Sequence, residues 1–276
     1  MAQRILTVAA YLFKSLLFSL AGFFYVLLAL VFWRVFFDPS QTTPEPSYYV
    51  LVVGLFGAAA TFLITLSIAS RGYRAVNYPL LARLPSRVEH LTAVLVASLL
   101  YAILLQLLVA LLATFRGPDL TFAHIGEIPP LWLAVDILVS VLALHASDLV
   151  TAGWSRVYLY TALAAFLFGQ ALEGGASRWL AARLLAAGRW FLQRNLVAFS
   201  DLTQTIASWL AGTVGAVFDR FLELPFWPFR AMIDAVRSES FTLANSLAPA
   251  ILLLYATILF MLAADLFANK DLFLSE

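Results

Sequence analysis

The chain has 276 residues, of which 63% are hydrophobic and only 12% are charged, and its formal net charge is +1. Soluble domains average roughly half apolar and about a quarter charged residues, so this composition excludes an ordinary water-soluble domain. The chain has no cysteine, which excludes disulfide frameworks, thiolate nucleophiles and iron–sulfur sites. A net charge this small provides no basic surface for nucleic acid. The composition predicts an all-α, polytopic membrane protein.

Apolar segments between charged residues predict the membrane spans. A spanning helix needs about 20 predominantly apolar residues. In chain order, the candidate segments are residues 15–33, 48–70, 91–115, 131–150, 157–172 and 242–264. The fourth has polar interruptions and the fifth is the shortest. We predict a single transmembrane domain over residues 1–276 with six spans.

The basic residues are unevenly distributed between the predicted loops. Lys and Arg accumulate in cytoplasmic loops. With the N-terminus inside, the inner side holds Arg4, Lys14, Arg71, Arg74, Arg83, Arg87, Arg156 and Lys270, whereas the short outer loops hold Arg34 and Arg116. We therefore expect an inner (plasma) membrane protein with both termini in the cytoplasm.

The long segment before the last span, residues 173–239, is amphipathic. Arginines alternate with apolar and aromatic residues at near-helical spacing, as in Arg178-Trp179 and Arg189-Trp190. Such helices lie in the membrane interface, in contact with lipids. Residues 202–218 are apolar enough to suggest a seventh span, but several Ser and Thr residues favour a partly inserted or re-entrant helix pair.

Residues 71–90 form the largest inner loop. A short helix at residues 75–83 would carry Tyr78 and Leu81 on its apolar side and Arg83 on the other, and Pro85 would end it. Ser86-Arg87-Val88-Glu89 then fits a capping box that begins the third span. Two interpretations stay open: a solvated loop that only fixes the topology, or a docking element for a cytosolic partner.

The run Leu-Leu-Ala-Arg-Leu-Pro-Ser-Arg-Val-Glu-His-Leu at residues 80–91 resembles a segment that follows the second span in ABC-2 type exporter permeases. The six-span layout is similar too, as are the short link between spans four and five and the amphipathic stretch before span six. In one respect the sequence differs: many relatives carry a longer amphipathic N-terminal helix than residues 1–14 can supply.

The resemblance implies a permease subunit whose inner-loop helix sits in a groove of a separate, cytosolic ATP-binding subunit. The implied coupling positions are Tyr78, Leu81, Arg83, Pro85, Arg87 and Glu89. ATP and Mg²⁺ would bind to the partner chain, and the permease would pair with a second copy or a homologue. The implied activity is export of a lipid-like or amphipathic substrate.

Motifs of catalytic and nucleotide-binding sites are missing. The sequence has no G-x-x-x-x-G-K-[ST], no H-E-x-x-H and no G-x-S-x-G. We therefore expect no catalytic residue, metal or cofactor in this chain. His90 and His145 are conceivable haem ligands. The alternative function is accordingly a non-transporting structural, or haem-bearing, subunit of a larger membrane complex.

Ionisable residues inside a predicted span are candidates for function. Asp136, Ser140 and His145 occupy positions i, i+4 and i+9 of the fourth span. We predict that they form a polar stripe on one side of this helix. The stripe would line a translocation path or make a hydrogen-bonded contact with another helix.

Overall fold

The computed structural model describes residues 1–37, 46–73, 84, 86–115, 122–151, 176–224, 227–238 and 242–270. Every regular element in these residues is an α-helix. The prediction of an all-helical fold is therefore confirmed. The helices are α1 (Ala2–Leu17), α2 (Leu20–Phe36), α3 (Pro46–Gly72), α4 (Arg87–Thr114), α5 (Phe122–Ala146), α6 (Ala176–Gln193), α7 (Val197–Ala211), α8 (Thr213–Glu223), α9 (Trp227–Ser238) and α10 (Leu243–Asn269).

The chain divides into two compact units. The first comprises Met1–Arg156 and Ala231–Glu276, and the second comprises Val157–Arg230. Helices α1 to α5 and α10 belong to the first unit and α6 to α8 to the second, and the boundary falls within α9. The first unit contains the inner-loop motif and the polar residues of the predicted fourth span.

Among the described residues, α3, α4 and α10 are long and apolar enough to cross a membrane, and α1 with α2 forms a fourth candidate if the bent pair is one span. The apolar part of α5 with described side chains, Trp132–Ala146, is shorter. Length and composition thus indicate a membrane protein with three to four candidate spans. They do not confirm the predicted count of six, and the predicted span 157–172 lies outside the described residues.

The first predicted span contains a break. Helices α1 and α2 meet at an angle of 71°, and Ser19 caps α2 by accepting a hydrogen bond from the Gly22 N–H at 3.2 Å. A Cβ on Gly22 would lie 2.2 Å from the Leu16 carbonyl oxygen, so the bend needs a glycine there. Helix α1 buries a single stripe, Val8, Ala9, Leu12 and Leu16. It is therefore an amphipathic helix that precedes the apolar helix α2.

Helix α3 packs closely against α4 and α5 through two glycines. A Cβ on Gly54 would lie 1.9 Å from Trp132 of α5, and a Cβ on Gly57 would lie 2.0 Å from the amide of Gln106 on α4. Small residues let membrane helices approach closely enough for dispersion and backbone contacts. These two positions therefore set the distance of α3 from its neighbours.

The contacts also fix the helix directions. Tyr49 near the start of α3 bonds the Ala110 carbonyl near the end of α4, so these helices are antiparallel. His145 near the end of α5 lies 2.8 Å from the Leu259 carbonyl of α10, and Lys270 bonds the Asp148 carbonyl. Helices α3, α5 and α10 therefore end where α4 begins, and we call this end of the bundle the Arg87 end.

Replacing Gly54 by leucine should destabilise the bundle, because the new side chain overlaps the Trp132 ring. Overpacking of this kind costs about 1–3 kcal/mol. Ala59→Leu adds the same side chain at an exposed position of the same helix and should leave the free energy of unfolding nearly unchanged. Equilibrium unfolding in detergent checks both variants, and equal stabilities would contradict this packing.

Candidate functional site

Arg87 links the start of α4 to the end of α10. Its Nη1 donates to the carbonyl oxygens of Phe267, Ala268 and Lys270 at 3.1, 3.2 and 2.6 Å. The last carbonyls of a helix have no partner inside the helix, and a positive charge there also interacts favourably with the helix dipole. Arg87 therefore caps α10 from the first turn of α4.

Glu89 lies one half-turn further along α4 and binds α1. Arg4 Nε donates to Glu89 Oε2 at 3.1 Å and Arg4 Nη2 to Oε1 at 2.9 Å. The Glu89 side chain is only 4% exposed, whereas that of Arg4 is 53% exposed. A bidentate guanidinium pair is the strong form of this interaction. It attaches the amphipathic helix α1 to the same turn that carries Arg87.

The capping box predicted at this turn forms only in part. Ser86 is the N-cap of α4, as predicted, and its Oγ accepts from the Val88 N–H at 3.2 Å rather than from the Glu89 N–H. The Glu89 carboxylate does not reach back, because it binds Arg4. A charged bidentate donor is a stronger partner for a carboxylate than one backbone N–H.

Lys270 contacts the ends of two further helices, α5 and α3, at the Arg87 end of the bundle. Its Nζ donates to the carbonyl of Asp148, just after α5, and lies 5.1 Å from the centre of the Tyr73 ring, just after α3. We call Arg4, Tyr73, Arg87, Glu89, Asp148 and Lys270 the Arg87 clamp. The clamp joins one end each of α1, α3, α4, α5 and α10.

The predicted coupling residues fall into two groups. Arg87 and Glu89 bind within the chain, in the clamp. Tyr78, Leu81, Arg83 and Pro85 lie outside the described residues. The sequence identifies Arg4 and Lys270 only as positive charges on the predicted inner side. Arg4 is 85 residues from Glu89 and Lys270 is 183 residues from Arg87, so no local pattern indicates these contacts.

The polar residues predicted on the fourth span face two different helices. Ser140 is fully buried, and its Oγ lies 2.9 Å from Thr65 Oγ1 of α3. Because Thr65 donates its own proton to the Thr61 carbonyl at 2.7 Å, Ser140 is the donor in that pair. Asp136 is 1% exposed, next to Thr61, and its Oδ1 has no hydrogen-bond partner among the described residues.

His145 departs from the predicted stripe. It is 7% exposed, and its Nε2 is 2.8 Å from the Leu259 carbonyl of α10. Nine residues at about 100° each make two and a half turns, so His145 lies opposite Asp136 on α5. A stripe of Asp136, Ser140 and His145 on one side of the helix therefore does not form. The structure brings Asp136 and Ser140 together at α3 and uses His145 to hold α10.

The conceivable haem ligands are both buried beneath the Arg87 end. His90 is fully buried, with neither ring nitrogen hydrogen-bonded to a described residue, and its ring centre lies 6.4 Å from that of Phe267. The Nε2 of His145 is engaged by a backbone carbonyl. Within the described residues, no group of three or more His, Cys, Asp or Glu could hold a metal ion.

No protein-family model, no curated protein and no solved structure matches this chain. Its function is therefore inferred from its own contacts and from the resemblance of residues 80–91.

Replacing Arg87 by glutamine should destabilise the bundle, since two carbonyls of α10 and that of Lys270 just after it lose their charged donor. A hydrogen bond to a charged group contributes about 1.5–3 kcal/mol, and we expect a loss of that order in the free energy of unfolding. Lys14→Gln removes the same charge from an exposed position on α1 and should change stability by less than about 0.5 kcal/mol. An Arg87 variant as stable as the Lys14 variant would refute the cap.

The Thr65–Ser140 contact should appear as a coupling between the two residues. In a double-mutant cycle with Thr65→Val and Ser140→Ala, the double mutant should lose less stability than the sum of the losses in the two single mutants. Buried polar contacts between membrane helices average about 0.6 kcal/mol, and we expect a coupling of that size from unfolding in detergent. Strict additivity would mean that the hydroxyl pair does not hold α3 to α5.

Proposed function

We propose that this chain is the permease subunit of an ATP-driven ABC-2 type exporter, which couples ATP hydrolysis in a separate subunit to movement of a lipid-like or amphipathic substrate. One observation carries the proposal. The segment that resembles the coupling element of those permeases ends in a turn whose two charged side chains bind α1 and α10. A push on that segment would reach several helices at once.

The six predicted coupling residues would have two different roles. Tyr78, Leu81, Arg83 and Pro85 would contact the ATPase. Arg87 and Glu89 would act as positioning residues, because their polar groups already bind α10 and α1. The side chains that contact the ATPase and those that transmit its movement to α1 and α10 would thus lie within one short stretch of chain.

Helix directions support the proposed count of six spans. Helices α5 and α10 run in the same direction, so a chain that leaves the membrane after α5 must return to the opposite face before α10 begins. An odd number of crossings between residues 151 and 242 does this. Residues 157–172 are the most apolar stretch available for one crossing, which brings the total to six with α2, α3, α4, α5 and α10.

The amphipathic helix α1 supports the same family. ABC-2 permeases carry such a helix before the first span, and here it is 16 residues long. Helix α1 is attached through Arg4 to the turn after the inner loop. In this proposal ATP and Mg²⁺ bind to the partner chain, and a second permease copy or a homologue completes the transporter.

Cysteine labelling tests the span count. The natural chain has no cysteine, so single cysteines at Phe115, Thr242 and Asn269 report sidedness without background. In intact cells a membrane-impermeant thiol reagent should modify the cysteines at 115 and 242 but not the one at 269, and all three after permeabilisation. Modification of 115 and 242 from opposite faces would contradict six spans.

Copurification tests the exporter assignment. A P-loop ATPase should copurify with the wild-type chain, and Arg83→Glu should reduce its recovery about tenfold or more, because charge reversal opposes a docked partner. Lys14→Glu reverses a charge on the same predicted side but outside the loop, and should leave recovery unchanged. Arg87→Glu is unsuitable here, since it also breaks the cap of α10.

Recovery of other membrane proteins without any ATPase would overturn the exporter assignment and favour the structural subunit. A Soret absorbance band in such a complex would favour its haem-bearing form.

A further inference from the structure

An 11-residue repeat occupies helix α6 and the residue that follows it. The first copy is Arg178-Trp179-Leu180 with Arg183, and the second is Arg189-Trp190-Phe191 with Arg194. Eleven residues at about 100° each make three turns with roughly 20° left over. The two copies therefore lie on the same face of the helix, about 16.5 Å apart along its axis.

The repeat occupies the face of α6 that α7 leaves free. The buried residues of α6 are Ser177, Ala181 and Gly188, and a Cβ on Gly188 would lie 2.7 Å from Thr203 Oγ1 of α7. On the other side, Trp179 is 43% and Trp190 48% exposed. All four arginines of the repeat are exposed as well.

Each copy holds an arginine against its tryptophan. The guanidinium carbon of Arg183 is 5.4 Å from the centre of the Trp179 ring, and that of Arg194 is 4.2 Å from the centre of the Trp190 ring. An exposed cation–π contact keeps the charge beside the ring without neutralising it. The structure therefore presents the same pairing of an indole and a guanidinium twice.

Charge determines what this face can bind. Residues 176–194, which comprise α6 and the residue after it, include four arginines and no Asp or Glu. The nearby carboxylate of Asp219 is already bound, since it accepts from the Ser177 N–H at 2.9 Å and from Ser177 Oγ at 2.6 Å. A ligand for the free face must be anionic, and exposed tryptophans favour the boundary between lipid headgroups and acyl chains. The same chain contains helices long and apolar enough to cross a membrane.

We propose that the Arg–Trp face of α6 binds anionic phospholipids at the bilayer surface, one headgroup phosphate for each copy of the repeat. The arginines contact the phosphates, and Trp179 and Trp190 enter the interface between them. This inference does not depend on the exporter assignment.

The full-length protein in nanodiscs tests the proposal. A single cysteine at the exposed Ala186, between the two copies, carries a fluorophore, and brominated phosphatidylglycerol or brominated phosphatidylcholine quenches it. A basic residue near a membrane surface contributes about fivefold to the binding of acidic lipid. We expect brominated phosphatidylglycerol to bind at this face about fivefold or more in preference to brominated phosphatidylcholine, as measured by quenching. This preference should decrease as the salt concentration is raised.

Matched variants identify the residues responsible. The double variant with Arg183→Gln and Arg194→Gln should lower the ratio of quenching by phosphatidylglycerol to quenching by phosphatidylcholine toward one. The double variant with Arg183→Lys and Arg194→Lys should keep most of this preference. Arg220→Gln with Arg237→Gln removes two exposed charges outside the repeat and should keep all of it. Thermal unfolding verifies that the variants are folded.

Three results would overturn the proposal. The first is equal quenching of the wild-type protein by both lipids. The second is a loss of lipid preference in the Arg220→Gln, Arg237→Gln control that equals the loss in the Arg183→Gln, Arg194→Gln variant. The third is a probe that neither lipid quenches, which would mean that protein covers this face.

Discussion

The first unit depends on one guanidinium at the start of α4. Arg87 binds the carbonyls of Phe267, Ala268 and Lys270 at the end of α10, so the first turn of α4 and the last turn of α10 form a continuous hydrogen-bonded path. These turns are 180 residues apart in the chain. In a bilayer, where apolar helix faces gain little by leaving lipid, such polar and close-packed contacts decide which helices associate.

The other contacts at that end extend the same path. Arg4 joins α1 through Glu89, and Lys270 joins α3 and α5 through the Tyr73 ring and the Asp148 carbonyl. Below them, α3 is held by the close approach of Gly54 and Gly57 and by the Thr65–Ser140 pair. A load applied before Ser86 would therefore act on a connected set of helix ends, as the proposed coupling to a separate ATPase requires.

The sequence predicts the local features of this architecture and not its pairings. Apolar runs located α3, α4 and α10, and the Pro85-Ser86 signal located the start of α4, because these patterns involve neighbouring residues. The kink at Ser19 was missed, since an uncharged apolar run gives no sign that Gly22 must approach the Leu16 carbonyl. The pairs of Arg87 with α10 and of Arg4 with Glu89 depend on tertiary packing. The predicted stripe cannot include His145, because nine residues make two and a half helical turns and place it opposite Asp136 on α5.

Pulsed electron paramagnetic resonance measures the central contact most directly. Spin labels on cysteines at Ser86 and Asn269, in a chain with no other cysteine, report the separation between the start of α4 and the end of α10. The cap by Arg87 predicts one narrow distance distribution in the natural background and a clearly broader one when Arg87→Gln is added. Distributions of equal width in the two backgrounds would contradict the claim that this side chain holds the two helices together.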